Sequence, residues 1–177
     1  MTASVNMSSS GDGAQRDTAD YQRNTHFDAS PEVVFEAITT AAGVAAWWAP
    51  ATGSGIAGGE LRLTMGPPEP LVLHVDVAQP SSKVVWSVLA CPFLPDWDGT
   101  TITFELRPGQ GGGCELAFRH RGLTPQLECY DQCQNGWDHF IPSLGLYAEA
   151  GQGNPRGSDA DLARREARDR ARTASAV

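Results

Sequence analysis

Lysine is almost missing from this chain. Lys83 is the only one in 177 residues, and 13 basic side chains stand against 21 acidic ones, for a formal net charge of −8. Nucleic acids and anionic membrane surfaces are held by clustered Lys and Arg, so this balance argues against both as partners. A run of about 18 apolar residues, the length a membrane-crossing helix needs, is also lacking. The opening MTASVNMSSSGDG has neither the basic nor the apolar region of a secretory leader. The expectation is a cytoplasmic protein. Cysteines number four, at 91, 114, 129 and 133, too few and too irregular for a disulfide scaffold, so reduced thiols are expected.

Some chemistries are missing as well. Cys129 and Cys133 lie four apart beside His120, but further ligands stand at no recognised interval, so no metal is predicted. Asp76 and Glu105 fall on polar faces of their segments and form no acid–base pair. No cofactor is called for.

What is present is periodicity. Residues 1–19 are Ser, Gly, Asp and Ala-rich and are expected to be a disordered tail. Tyr21, Arg23, Thr25 and Phe27 alternate with polar neighbours as a first strand would. Ser30-Pro31-Glu32 then carries a helix-start signal, and two short helices lead to Trp47 and Trp48. Period-2 segments follow: Leu61 to Met65, Leu71 to Val77, Val84 to Ala90, Ile102 to Leu106 and Cys114 to His120, separated by Gly and Pro. From Cys129 to Ala150, Tyr130, Cys133, Trp137, Phe140, Ile141, Leu144 and Ala148 recur at helical spacing. Gly136, Pro142 and Gly145 interrupt that helix, and a bend near residues 138–142 is predicted. The predicted architecture is α+β: a curved antiparallel sheet of six or seven strands wrapped around a long C-terminal helix, with two short helices after the first strand. Residues 20–155 form that domain. Residues 156–177, with six Arg and four acids, are read as a disordered or solvated helical tail.

Several residues on these elements are candidates for a site. His120 shares the inward face with Leu116 and Phe118, and is read either as a backbone-bonded core histidine or as a ligand or proton-transfer group. Trp86 is inward by alternation and Trp137 by helical stripe, and Trp97 sits in a Pro-rich loop as a lid or a cap. Indoles of this kind serve as core and also as walls of apolar ligand pockets.

The pieces SPEVVFEAITTAAGVAAWW, Pro80 to Trp86, Trp97-Asp98-Gly99-Thr100 to Leu106, His120-Arg121-Gly122-Leu123, Gly136-Trp137 with Ser143-Leu144, and Gly151-Gln152-Gly153-Asn154-Pro155 occur in that order. Together they resemble the START-like (SRPBCC, helix-grip) superfamily, and more narrowly the bacterial proteins related to the activator of Hsp90 ATPase. The resemblance implies an elongated apolar cavity between the long helix and the concave sheet. Its expected walls are Trp47, Trp48, Trp86, Val88, Phe104, Phe118, His120, Tyr130, Cys133, Trp137, Phe140 and Leu144. The superfamily includes carriers, sensors, cyclases and co-chaperones, so three functions follow as expectations. The first is binding of a small apolar or aromatic molecule by a monomer or homodimer. The second is cyclase or dehydratase chemistry on a polyketide or aromatic substrate, with His120 or Tyr130 as proton donor. The third is a co-chaperone-like interaction module whose protein partner the sequence does not name.

Overall fold

Alternation of apolar and polar side chains accounts for most of the sheet. A computed structural model of the chain describes residues 19–66 and 69–176. The tail expected to be disordered, save Ala19, lies outside the described residues, as do residues 67 and 68 of one Gly-Pro separator. Seven strands, β1 (Tyr21–Phe27), β2 (Ala51–Gly53), β3 (Glu60–Leu63), β4 (Leu71–Gln79), β5 (Lys83–Ala90), β6 (Thr101–Pro108) and β7 (Cys114–Arg121), form one sheet. Its order is β1-β7-β6-β5-β4-β3-β2, and all neighbours are antiparallel. Val84, Trp86 and Val88 on β5, Ile102, Phe104 and Leu106 on β6, and Cys114, Leu116, Phe118 and His120 on β7 are all buried, while their neighbours face outward. The register sets Trp86 beside Ile102 and Ile102 beside His120. Two register shifts between β4 and β5 add the local bend that a bulge imposes on a sheet. β2, three residues long, carries no alternation and was not read from the sequence.

Between β1 and β2 lie α1 (Pro31–Thr39) and α2 (Ala41–Trp47). Pro31 occupies the first turn of α1, where its missing N–H costs nothing. Thr40 ends that helix and starts the next, its Oγ1 accepting from the Gly43 N–H at 3.0 Å. The turn delivers Trp47 and Trp48 to the interior, where neither is more than 1% exposed.

The long helix α3 (Tyr130–Ala150) lies against the concave face of the sheet. Cys133, Trp137, Phe140, Ile141 and Leu144 are buried along its inner stripe. The helix runs unbroken through the segment where a bend is predicted, with Pro142 on its exposed side, away from the packed face. Gly145 has a steric reason: a Cβ there would stand 2.6 Å from the Phe27 ring, so the glycine lets β1 and α3 close on one another. The Tyr21 hydroxyl adds a polar tie, donating to Asp138 at 2.6 Å.

Gly151, in the left-handed conformation with φ 74°, ends α3. The chain then turns back over α2. Ser143 donates to the Trp47 carbonyl at 2.7 Å and accepts from the Asn154 N–H at 2.7 Å, and the Arg156 N–H donates to the Trp48 carbonyl at 2.7 Å. These bonds start α4 (Asp159–Ser175) beside the end of the indole-rich interior. The first turn of α4 is anchored by polar groups, not by the apolar contacts its composition lacks. Asp161 is fully buried, accepting from Gly157 N–H at 3.0 Å and from Arg164 at 2.5 Å. The later turns carry Ala171, Arg172 and Thr173 in solvent.

The two α3 glycines predict effects of opposite sign. Gly145→Ala forces the Phe27 ring to move and is expected to lower the unfolding free energy by about 1–3 kcal/mol. Gly136→Ala meets nothing within 4 Å and is expected to raise it by up to about 1 kcal/mol. Urea unfolding of both variants reads the difference.

Candidate functional site

Packing of inward side chains decides what room the grip leaves. Trp48 stacks on Trp86 at 6.1 Å and on Trp47 at 5.6 Å, and meets Trp137 at 4.9 Å. Phe104 and Phe118 close the other side at 5.2 Å from each other, with Phe118 4.6 Å from Trp137. The space between α3 and the sheet is thus filled by rings contributed by α2, β5, β6, β7 and α3. Of the twelve predicted wall residues, Trp47, Trp86, Val88, Phe104, Phe118, His120 and Leu144 lie inside this packed interior, and Tyr130 is half-buried beside it.

His120 is locked within it. The Trp137 indole N–H donates to His120 Nδ1 at 3.1 Å, so that nitrogen carries no proton. The proton is therefore on Nε2, which donates to Thr100 Oγ1 at 2.9 Å, and the Thr100 hydroxyl donates to the Trp97 carbonyl at 2.6 Å. Burial pushes the imidazole pKa down to about 3, with the Asp20 carboxylate pulling the other way. This is a neutral histidine with both nitrogens used, and no proton is left to present to a substrate. The thiols are equally quiet. Trp97 donates its indole N–H to Cys133 Sγ at 3.2 Å, and burial pushes the Cys133 thiol up and the Cys91 thiol up to about 12. A thiolate nucleophile at neutral pH is not available from either. Among the described residues, no group of three or more His, Cys, Asp or Glu side chains is placed to hold a metal ion.

One opening remains at the edge of the ring-filled interior. A pocket of about 130 Å³ is walled by Trp48, Cys133, Trp137 and Phe140, four of the predicted residues, together with Met65, Phe93, Leu94 and Trp97. Its rim is Gln132 with Arg156, Arg164, Arg165 and Arg168. Trp97 stands in a short 3-10 turn, 5% exposed and stacked on Trp137 at 5.9 Å, so it forms a wall of the pocket. The arginines were missed as site residues because α4 has no apolar stripe to mark it as docked. The available signal was the spacing of 164, 165 and 168, which puts three guanidinium groups on one side of a helix. A larger groove, about 480 Å³, lies on the outer face of the sheet among Lys83, Thr103, Glu105, Arg119 and Arg121. It is separated from the indoles by the sheet itself.

A seven-stranded antiparallel sheet gripping one long helix, with two short helices after the first strand, defines the START-like helix-grip class. Within that class, residues 28–149 match the family described as activator of Hsp90 ATPase homolog 1-like protein, and the chain belongs to this family. Solved structures agree. The Aha1 dimer from Colwellia psychrerythraea is 25% identical, with a TM-score of 0.66 over 76% of this chain and 99% of that one. CalU16 from Micromonospora echinospora is 18% identical, with a TM-score of 0.58 over 73% of this chain and 76% of its own. SSP2350 from Staphylococcus saprophyticus is 16% identical, with a TM-score of 0.60 over 76% and 95%. No curated protein matches the chain. Among the described residues no helix is long and apolar enough to cross a membrane.

The neutral His120 has a measurable consequence for stability. Above about pH 6.5 an unfolded histidine is neutral too, and nothing is lost. As pH falls from there toward about 3, the unfolded chain takes a proton that the folded one refuses, so folding weakens. His120→Gln keeps an acceptor for Trp137 and a donor for Thr100 but cannot titrate. The variant is expected to lose unfolding free energy less steeply than the parent between about pH 6.5 and pH 4, by up to about 1.4 kcal/mol per pH unit. Parallel pH profiles in the two proteins would remove the assignment.

Proposed function

We propose that this protein binds a small apolar or aromatic molecule in the pocket between Trp97, Trp137 and Phe140, acting as a carrier or sensor. The observation that carries the reading is the pocket itself, a partly open space whose floor is indole and phenyl rings in a chain where other rings are packed against each other. Ligand sites have this character, apolar walls with a few polar groups at fixed places. The family supports it at the level of the fold. The pocket is smaller than the roughly 300 Å³ at the lower end of ligand sites, so the occupant is about one ring in size unless α4 moves aside. The inert His120 and Cys133 favour binding over catalysis. A cytoplasmic location and a monomer or homodimer, a dimer being the state of the Colwellia relative, belong to the same proposal.

A second reading, a protein-interaction module, is favoured by one observation: the grip between α3 and the sheet is filled. Native mass spectrometry of protein purified from its own host separates the two. The expected result is a retained small molecule, absent from a Leu94→Trp variant in which an added indole occupies the pocket. Titration with indole is expected to change tryptophan fluorescence in the parent and not in that variant. An empty parent protein that also ignores indole would leave the interaction reading standing.

A further inference from the structure

Resting on the pocket reading above, we propose that the ligand is an organic anion, a single aromatic ring bearing a carboxylate, with its ring on the indoles and its carboxylate among the guanidinium groups of the rim. The charges at the pocket carry this. In a chain of net charge −8, every charged side chain lining the pocket is an arginine: Arg156, Arg164, Arg165 and Arg168. The carboxylates paired with these four are Asp161, held by Arg164 at 2.5 Å and Arg165 at 3.6 Å, and Asp169, held by Arg168 at 3.0 Å. Two positive charges are therefore left over at the mouth of an apolar space, where a surface would gain by acquiring an anion.

Two of the arginines are placed for this and are not merely present. Arg164 is clamped, with one nitrogen donating to Asn135 at 2.6 Å, another to Asp161, and its guanidinium carbon 5.5 Å from the Phe140 ring centre. Its third nitrogen, Nε, is buried and has no partner among the described residues. A buried donor without an acceptor is costly. Arg156 makes no ion pair among the described residues, while its backbone N–H is fixed to the Trp48 carbonyl. Burial, then repulsion from Arg165, hold its pKa below the ordinary arginine value, with Asp161 partly opposing.

Size agrees with charge. A closed cavity of about 150 Å³ admits benzene; the pocket, at about 130 Å³ and open at its rim, is close to that size and seats one ring only with its substituent outside. Guanidinium groups bind carboxylates by paired hydrogen bonds. The selectivity resides in α4, which begins at Asp159, beyond the matched family segment that ends at residue 149. Without this helix the same pocket would keep one of its four arginines, Arg156.

Benzoate and benzamide, equal in shape and different in charge, make the test with the full-length protein. Tryptophan fluorescence and thermal unfolding give the affinities of both. The expected result is benzoate at least about tenfold tighter than benzamide, with the margin shrinking as salt is raised. Arg165→Gln with Arg168→Gln, and separately Arg156→Gln, are expected to bring the ratio of the two affinities toward one; both variants leave the buried Arg164–Asp161 pair in place. Circular dichroism confirms that each variant is folded. Equal binding of benzoate and benzamide by the parent protein would overturn the anion proposal while keeping the apolar site. A benzoate preference that survives both variants would overturn the role of these arginines. Binding of neither probe would overturn both the proposal and the reading beneath it.

Discussion

The interior of this protein is built from indole rings, and each ring brings one N–H into a place without water. The fold depends on finding those N–H groups a partner. Trp47 gives its proton to the Ala37 carbonyl at 3.0 Å, where α1 hands over to α2. Trp97 gives its own to the Cys133 sulfur and Trp137 to His120. The Trp86 N–H is buried and has no partner among the described residues. An unmatched buried donor costs on the order of 1–3 kcal/mol, so the Trp137 bond explains why the buried His120 sits where it does, with Thr100 holding the other nitrogen of its ring. The histidine is there as an acceptor. Its ring must stay neutral to do that work, and its burial ensures that it does.

That constraint also decides what the grip can hold. A helix laid across a concave sheet leaves a gap whose size depends on the inward side chains, and here Trp48, Trp86 and Trp137 close it. Among the described residues, rings with centres 4.9–6.1 Å apart occupy that gap, and the pocket lies at its edge, where Trp97 and Phe140 meet the start of α4. The expected elongated cavity and the observed pocket of about 130 Å³ therefore draw on the same residues. Tryptophans at these positions were legible as walls, but whether they line a space or fill it depends on rotamers and on which rings face each other across the sheet, and no spacing in a sequence carries that.

Other parts were readable because one physical rule dominated them. Strands β4 to β7 follow from alternation alone, since each has one wet and one buried face. The stripe on α3 follows from the helical period, and the fold was reached from these two patterns and the order of elements. Gly145 looked like a defect from the sequence and is an accommodation to Phe27, 118 positions away along the chain; such a contact has no local signal. The docking of α4 was hidden for a different reason. Apolar periodicity is the usual mark of a packed helix, and this one is held by Asp161, Arg164, Asn135 and the face of Phe140, so the mark is missing.

The charge distribution settles how an acidic protein can present a cationic mouth. Residues 156–177 hold six Arg and four acids, so with 13 bases and 21 acids in all, the rest of the chain carries seven bases against seventeen acids. The body is thus at −10 and the tail at +2. At physiological salt, charges separated by more than about 8 Å are largely screened, so the body does little to an anion already at the pocket. Locally, four guanidinium groups stand with two carboxylates of the same segment at the rim of a pocket floored by indole, where attraction is screened less than in bulk water. The short-range field governs what the pocket keeps, and its sign is set by one helix that adds no apolar core and supplies all four of the rim's arginines but one, Arg156, which lies in the turn leading into it.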